Sequence, residues 1–133
     1  MDMNELFLLA SEAAKASYSP YSKFRVGAAI VAENGTIFTG TNVENRSFGL
    51  TICAERSALV AAVAAGQRKF KAIAIATPDS SYPVSPCGAC RQVLSEFMAA
   101  EAIVRFGCSP EVYTDASIGE LFPHDALHEL GVS

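Results

Sequence analysis

A mixed β-sheet covered on both faces by helices is the architecture this chain predicts. Three observations carry it: a helical repeat opens the chain, a hairpin signal follows, and two further helices then alternate with short apolar strands. Half of the 133 residues are hydrophobic and 18% are charged. That suits one compact domain over residues 1–133 with a single core, and is far from the composition of a disordered chain.

Leu6, Leu9, Ala10, Ala13 and Ala14 recur with helical spacing, so roughly residues 3–17 read as an amphipathic helix. Tyr18-Ser19-Pro20-Tyr21-Ser22 breaks it. Val26 to Val31 and Thr36 to Gly40 flank Asn34-Gly35, a strong hairpin signal. The alanine-rich stretch from Ile52 to Ala65 predicts a buried helix stopped by Gly66. Ala72 to Thr77 follows as a short apolar strand, closed by Pro78-Asp79. Ser85 offers an N-cap and Pro86 a first helical position for a helix running to about Met98. Ile103 to Phe106 and Val112-Tyr113 read as strands, and Ile118 to Phe122 as a short helix before a polar tail.

Composition narrows the function. The net charge is −4 and no run of basic residues occurs, which argues against a nucleic-acid backbone as substrate. No apolar run is long enough to span a bilayer, and the N-terminal residues, with Asp2 and Glu5, lack the basic region of a signal peptide. Cytoplasmic residence is the expectation, since thiols that bind metal must stay reduced.

The chemistry is concentrated in Cys53-Ala54-Glu55 and, 34 residues after that cysteine, Pro86-Cys87-Gly88-Ala89-Cys90. Three thiols at these spacings can close on one zinc ion and leave its fourth position open, with a carboxylate two residues past the first ligand. A lone C-x-x-C would be weak, because structural zinc sites and redox pairs share it. The upstream C-x-E and the proline before the pair make the signal specific. Cys53, Cys87 and Cys90 all fall near predicted helix starts, where the partial positive charge favours thiolate. Three thiolates around a dication leave a net charge of −1, so Arg56 and Arg91 are candidates to donate hydrogen bonds to the sulfurs. A closed structural zinc would need a fourth ligand, for which Cys108, His124 and His128 are the spare donors. Glu55 is the candidate proton shuttle.

With these residues in hand, the chain resembles the small, homotetrameric, zinc-dependent cytidine deaminases. The likeness runs from the N-terminal helix to about Leu121. It rests on four motifs in order: Tyr18-Ser19-Pro20-Tyr21-Ser22 with Phe24 and Val26-Gly27-Ala28-Ala29; Gly40-Thr41-Asn42-Val43-Glu44-Asn45; Thr51-Ile52-Cys53-Ala54-Glu55-Arg56; and Ser85-Pro86-Cys87-Gly88-Ala89-Cys90-Arg91-Gln92. The resemblance implies a three-layer α/β/α sandwich around a mixed five-stranded sheet and one zinc ion per subunit. Cys53, Cys87 and Cys90 would be ligands and Glu55 the shuttle. It further implies that Asn42 and Glu44 bind the ribose hydroxyls, that Phe24 packs on the pyrimidine, and that Ala54 belongs to the substrate site. The implied reaction is hydrolytic: water adds at ring carbon 4, Glu55 relays protons to ring nitrogen 3 and the amino group, and ammonia and uridine result.

One departure stands out. Relatives carry a phenylalanine three residues after a proline, lent to a neighbouring subunit's pocket; here Pro123 is followed by His124, Asp125, Ala126 and Leu127. The place of the aromatic falls to Ala126 or Leu127, which bears on substrate range. Two other functions stay open on the sequence: deamination of a cytosine-nucleoside antibiotic such as blasticidin S, and a non-catalytic zinc-stabilised binding module.

Overall fold

The computed structural model describes residues 2–125. Helix α1 (Met3–Ala14) is followed by strands β1 (Gly27–Ala32) and β2 (Ile37–Thr41), a 3₁₀ turn at Phe48–Leu50, and helix α2 (Ala54–Ala64). Strand β3 (Phe70–Ala76), helix α3 (Gly88–Phe97), strands β4 (Met98–Ser109) and β5 (Val112–Ser117) and the short helix α4 (Ile118–Leu121) complete it. The five strands form one sheet in the order β2-β1-β3-β4-β5. Only β3 and β4 pair in parallel, joined through α3; the other neighbours are antiparallel. The sheet is therefore mixed and helices lie on both faces, as expected.

Side chains alternate between two cores. Ala29, Val31, Ala72, Ala74 and Ala76 turn towards Leu6, Phe7 and Ala10 of α1. Ala28, Ile30, Ile73, Ile75, Val104 and Phe106 turn the other way, onto Ala58, Leu59 and Ala62 of α2, Leu94 of α3 and Ile118 of α4. The face under α1 is paved with alanines, so that helix lies close to the sheet, and the bulkier side chains fill the opposite layer. At Gly40 of β2 the backbone of α2 comes so near that a Cβ would stand 2.3 Å from the Ala58 nitrogen.

The elements differ from the sequence reading mainly at their ends. Helix α1 stops at Ala14 rather than residue 17, because the Ala16 and Ser17 amides bond back to Ala13 and Ala14 in a tighter turn and the Ser17 hydroxyl is drawn to Asn42. The hairpin forms as expected, with Gly35 at φ +93° and its N–H donated to the Ala32 carbonyl. Ser85 and Pro86 do not open α3: its N-cap is Cys87, in extended backbone, whose carbonyl accepts the Arg91 amide at 3.0 Å. Ser85 Oγ is occupied instead by the Arg91 guanidinium. Likewise α2 starts after Cys53, not at Ile52. Strands β4 and β5 are longer than predicted, since β4 opens with Met98, two alanines and Glu101, which carry little strand signal, and β5 is a polar edge strand.

Candidate active site

Cys53 and Cys87 hold equivalent places, each the N-cap of its helix, and neither uses its side chain to cap. The capping carbonyls of Cys53 and Cys87 accept the amides of Ser57 and Arg91, which leaves both sulfurs free to face the helix starts. Cys90, in the first turn of α3, is fully buried, while Cys87 is exposed. Among the described residues these three sulfurs lie within 4.8 Å of one another, at 3.9 Å for Cys53–Cys87 and 3.4 Å for Cys87–Cys90. Three thiolates on a tetrahedral zinc, at about 2.3 Å each, stand about 3.8 Å apart. The set fits that ion with little rearrangement. Cys108 lies outside the group, near the end of β4 with its sulfur 3.8 Å from the Val112 carbonyl; His128 lies outside the described residues.

The thiols share protons unevenly. A hydrogen bond from the Cys90 thiol, reinforced by the Arg56 guanidinium, lowers the Cys53 thiol to about 5, and the anion so favoured pushes Cys90 up. Arg56 places Nη2 3.6 Å from the Cys53 sulfur and 3.4 Å from the Thr51 carbonyl. Arg91 behaves differently from expectation. Each of its three nitrogens donates to an oxygen, namely the Pro86 carbonyl at 2.8 Å, the Leu121 carbonyl at 3.0 Å and Ser85 Oγ at 3.0 Å. It ties the turn before Cys87 to the end of α4 and makes no hydrogen bond to a sulfur, because a planar fork reaching backwards along its own helix meets the preceding turn first.

Glu55, in the first turn of α2, is 4% exposed and its Oε1 has no hydrogen-bond partner. Burial raises its carboxyl to about 7. A buried carboxyl with one oxygen left unpartnered beside three convergent thiols is suited to taking and returning protons. Ala54, also fully buried, packs its carbonyl under Gly40.

The remaining sequence candidates gather around residues 17–26. Asn42 is 7% exposed; its Oδ1 accepts from the Ser17 hydroxyl at 2.5 Å and the Val26 amide at 3.0 Å, and its Nδ2 donates to the Phe24 carbonyl at 2.8 Å. Glu44 Oε1 accepts the Tyr21 and Ser22 amides and Oε2 the Ser22 hydroxyl, a hydrogen bond that holds its carboxyl below the usual range. Phe24, half-buried, is thereby held at its backbone carbonyl by Asn42 Nδ2 and at its amide by Ser22 Oγ. Glu44 also lines a cleft of about 590 Å³ with Tyr18, Tyr21, Asn45, Arg46 and Ser47. That lining stops short of the cysteines. Sequence reading did not single out Ser17 or Ser22 as side chains that orient this loop; only their polar type, next to Tyr18 and Tyr21, hinted at it.

The sequence profile of the cytidine and deoxycytidylate deaminase zinc-binding region matches residues 1–106, which include all three cysteines and Glu55. The chain belongs to this deaminase family. A cytidine deaminase of Halalkalibacterium halodurans is 43% identical over 123 residues, covering 92% of each chain. One from Sporosarcina psychrophila is 53% identical over 97 residues, 73% of this chain and 71% of the relative. Among solved structures, the cytidine deaminase of Burkholderia pseudomallei superimposes with a TM-score of 0.88 at 43% identity, covering 92% of this chain and 98% of that one. The three-layer sandwich is thus the deaminase fold, and zinc is the metal that the three-cysteine centre of this deaminase takes.

Proposed function

We propose that this deaminase hydrolyses cytidine and 2′-deoxycytidine to the corresponding uridines with release of ammonia. The observation that carries the reading is the buried Glu55 carboxyl, its Oε1 without a partner, beside three convergent thiols. Zinc held by Cys53, Cys87 and Cys90 supplies Lewis acidity towards water. Glu55 takes a proton from that water and holds it at Oε1. It passes protons to ring nitrogen 3 and to the exocyclic amine as the bond from carbon 4 to nitrogen gives way to one from carbon 4 to oxygen. Burial disfavours the charged form of Glu55, which helps it keep a proton between the two transfers. Arg56 offsets the anionic ligand set at Cys53, and Arg91 holds the Cys87 turn.

Phe24 packs on the pyrimidine, while Asn42, Glu44 and Ala54 bound the nucleoside. In the free chain the side chains of Asn42 and Glu44 are engaged in orienting the Phe24 loop, so ribose hydroxyls join or replace bonds already present. The functional unit is a single-domain subunit of a homotetramer. Supporting this, Val60, Ala61 and Ala64 on the outer side of α2 are exposed and apolar, as are Phe48, Leu50 and Ile52 just before it. The pool served is cytoplasmic pyrimidine salvage; no described helix is long and apolar enough to cross a membrane. Ala126 and Leu127, the positions of the missing aromatic, lie outside the described residues.

Ammonia release from cytidine, 2′-deoxycytidine and blasticidin S, measured in parallel on zinc-replete protein, tests the reading. Turnover of the first two supports it. Activity on the antibiotic alone replaces it with the resistance function, and silence on all three replaces it with a zinc-stabilised binding module.

A further inference from the structure

Two exposed residues that take no part in the site just described connect its halves. The Asp79 carboxylate accepts three hydrogen bonds from Arg25: the backbone amide at 2.8 Å, Nε at 3.1 Å, and Nη2 at 2.7 Å. Pairing of β1 with β3 places Gly27 opposite Ala76. Two residues on, Pro78 has no amide to extend the ladder. The Asp79 carboxylate accepts the Arg25 amide in the place of a ladder carbonyl, and the Arg25 guanidinium holds the same carboxylate through Nε and Nη2. The clasp therefore continues the β1–β3 ladder beyond its last backbone rung.

What the clasp joins matters more than its own strength. Residue 25 sits between Phe24 and Val26, both held by the Asn42 amide. Asp79 begins the connection from β3 to Cys87, whose far end is tied down by Arg91 through the Ser85 hydroxyl and Pro86 carbonyl. Between these ties, among the described residues, Ser80 and Tyr82 bond to each other and the Ser80 amide to the Thr77 carbonyl, and Tyr82 is 63% exposed. Side chains alternate along the lead-in to β1, which gives Phe24 the same face as Val26; Val26 packs into the core under α2.

We propose that Arg25 and Asp79 are positioning residues that fix the Phe24 segment relative to the connection bearing Cys87, and so set affinity for the base without touching a reacting atom. The inference rests on the proposed packing of Phe24 against the pyrimidine. Arg25→Ala and Asp79→Asn each raise KM for cytidine by about three- to five-fold, the range of an exposed but well-aligned ion pair, and leave kcat within about two-fold. Their double variant is no worse than the worse single one, because the two act through one contact. Zinc content stays at the wild-type level. Cytidine is uncharged, so raising salt from about 0.05 M to about 0.5 M raises KM of the wild type by screening the clasp but leaves KM of Arg25→Ala flat.

Amide hydrogen exchange gives a reading that needs no activity. Both variants lose protection in residues 24–26 and 78–80 together. Unchanged exchange in both segments overturns the clasp even if the protein proves to act on another substrate. Changed exchange with unchanged KM, additive losses in the double variant, or a fall in kcat and zinc at constant KM overturns the positioning role. A wild type silent on cytidine refutes the Phe24 reading and with it the role in affinity, while the exchange result still decides the clasp.

Discussion

Gly40→Ala is the sharpest single test of how this fold builds its site. The added Cβ would meet only backbone: the Ala58 nitrogen at 2.3 Å, the Ala54 carbonyl at 2.8 Å and the Ala58 Cα at 2.9 Å. No side-chain rotation relieves such contacts. Since ordinary contact begins at 3.4 Å, α2 must retreat from β2 by about 1 Å. Overpacking of that size costs about 1–3 kcal/mol, which for a chain of this length lowers Tm by about 4–15 °C. The same helix begins at Cys53 and carries Glu55 in its first turn. A displacement of about 1 Å at the ligands is worth about a hundred-fold in rate. Thermal unfolding, zinc content and kcat on cytidine are measured together, with Gly49→Ala as control because nothing lies within 4 Å of the Cβ it adds. A Gly40→Ala protein with wild-type Tm and kcat within about two-fold would refute the claim that backbone contact between β2 and α2 sets the site's spacing.

Other substitutions separate the remaining roles. Glu55→Gln lowers kcat by about a hundred-fold or more with zinc content unchanged, checked by steady-state kinetics and metal analysis; near-normal turnover in zinc-replete protein would remove Glu55 from the mechanism. Cys90→Ser loses most of its zinc, and unfolds at a lower temperature than wild type, whereas Cys108→Ser keeps both; retained metal in the first or lost metal in the second would redraw the ligand set. Asp115→Ala removes the carboxylate that pairs with the buried Arg105 at 2.8 Å and lowers stability by about 1–2 kcal/mol, discounted for the partial exposure of Asp115, without changing kcat; denaturant titration reads it directly.

Much of this arrangement is legible in the order of residues, for identifiable reasons. Ligand spacing reports the site because Cys87 and Cys90, three apart, fall at one helix start, and Cys53 at another. The hairpin and the Gly66 stop are local in origin and survive tertiary packing. Helix starts are harder to place, since Ser85 and Pro86 satisfy every local rule for opening α3 yet lose Ser85 to Arg91. What Arg91 touches depends on the Leu121 carbonyl, 30 residues away. Likewise the Arg25–Asp79 contact spans 54 residues and follows from sheet register, which no local pattern encodes. Strand β5 runs on past Tyr113 because an edge strand can be polar on both sides, and polarity removes the alternation that announces a strand.

The two helices that begin at Cys53 and Cys87 leave their first amides without a side-chain acceptor from either cap. An ion held between those cysteines pins both helix starts to one point and joins elements 34 residues apart in sequence. Metal supply and protein lifetime are then one variable. A cell short of zinc would hold this chain without that cross-link, at lower stability and so more open to proteases. It would lose enzyme by turnover in addition to losing activity. Abundance of the protein itself would then track the free zinc around it.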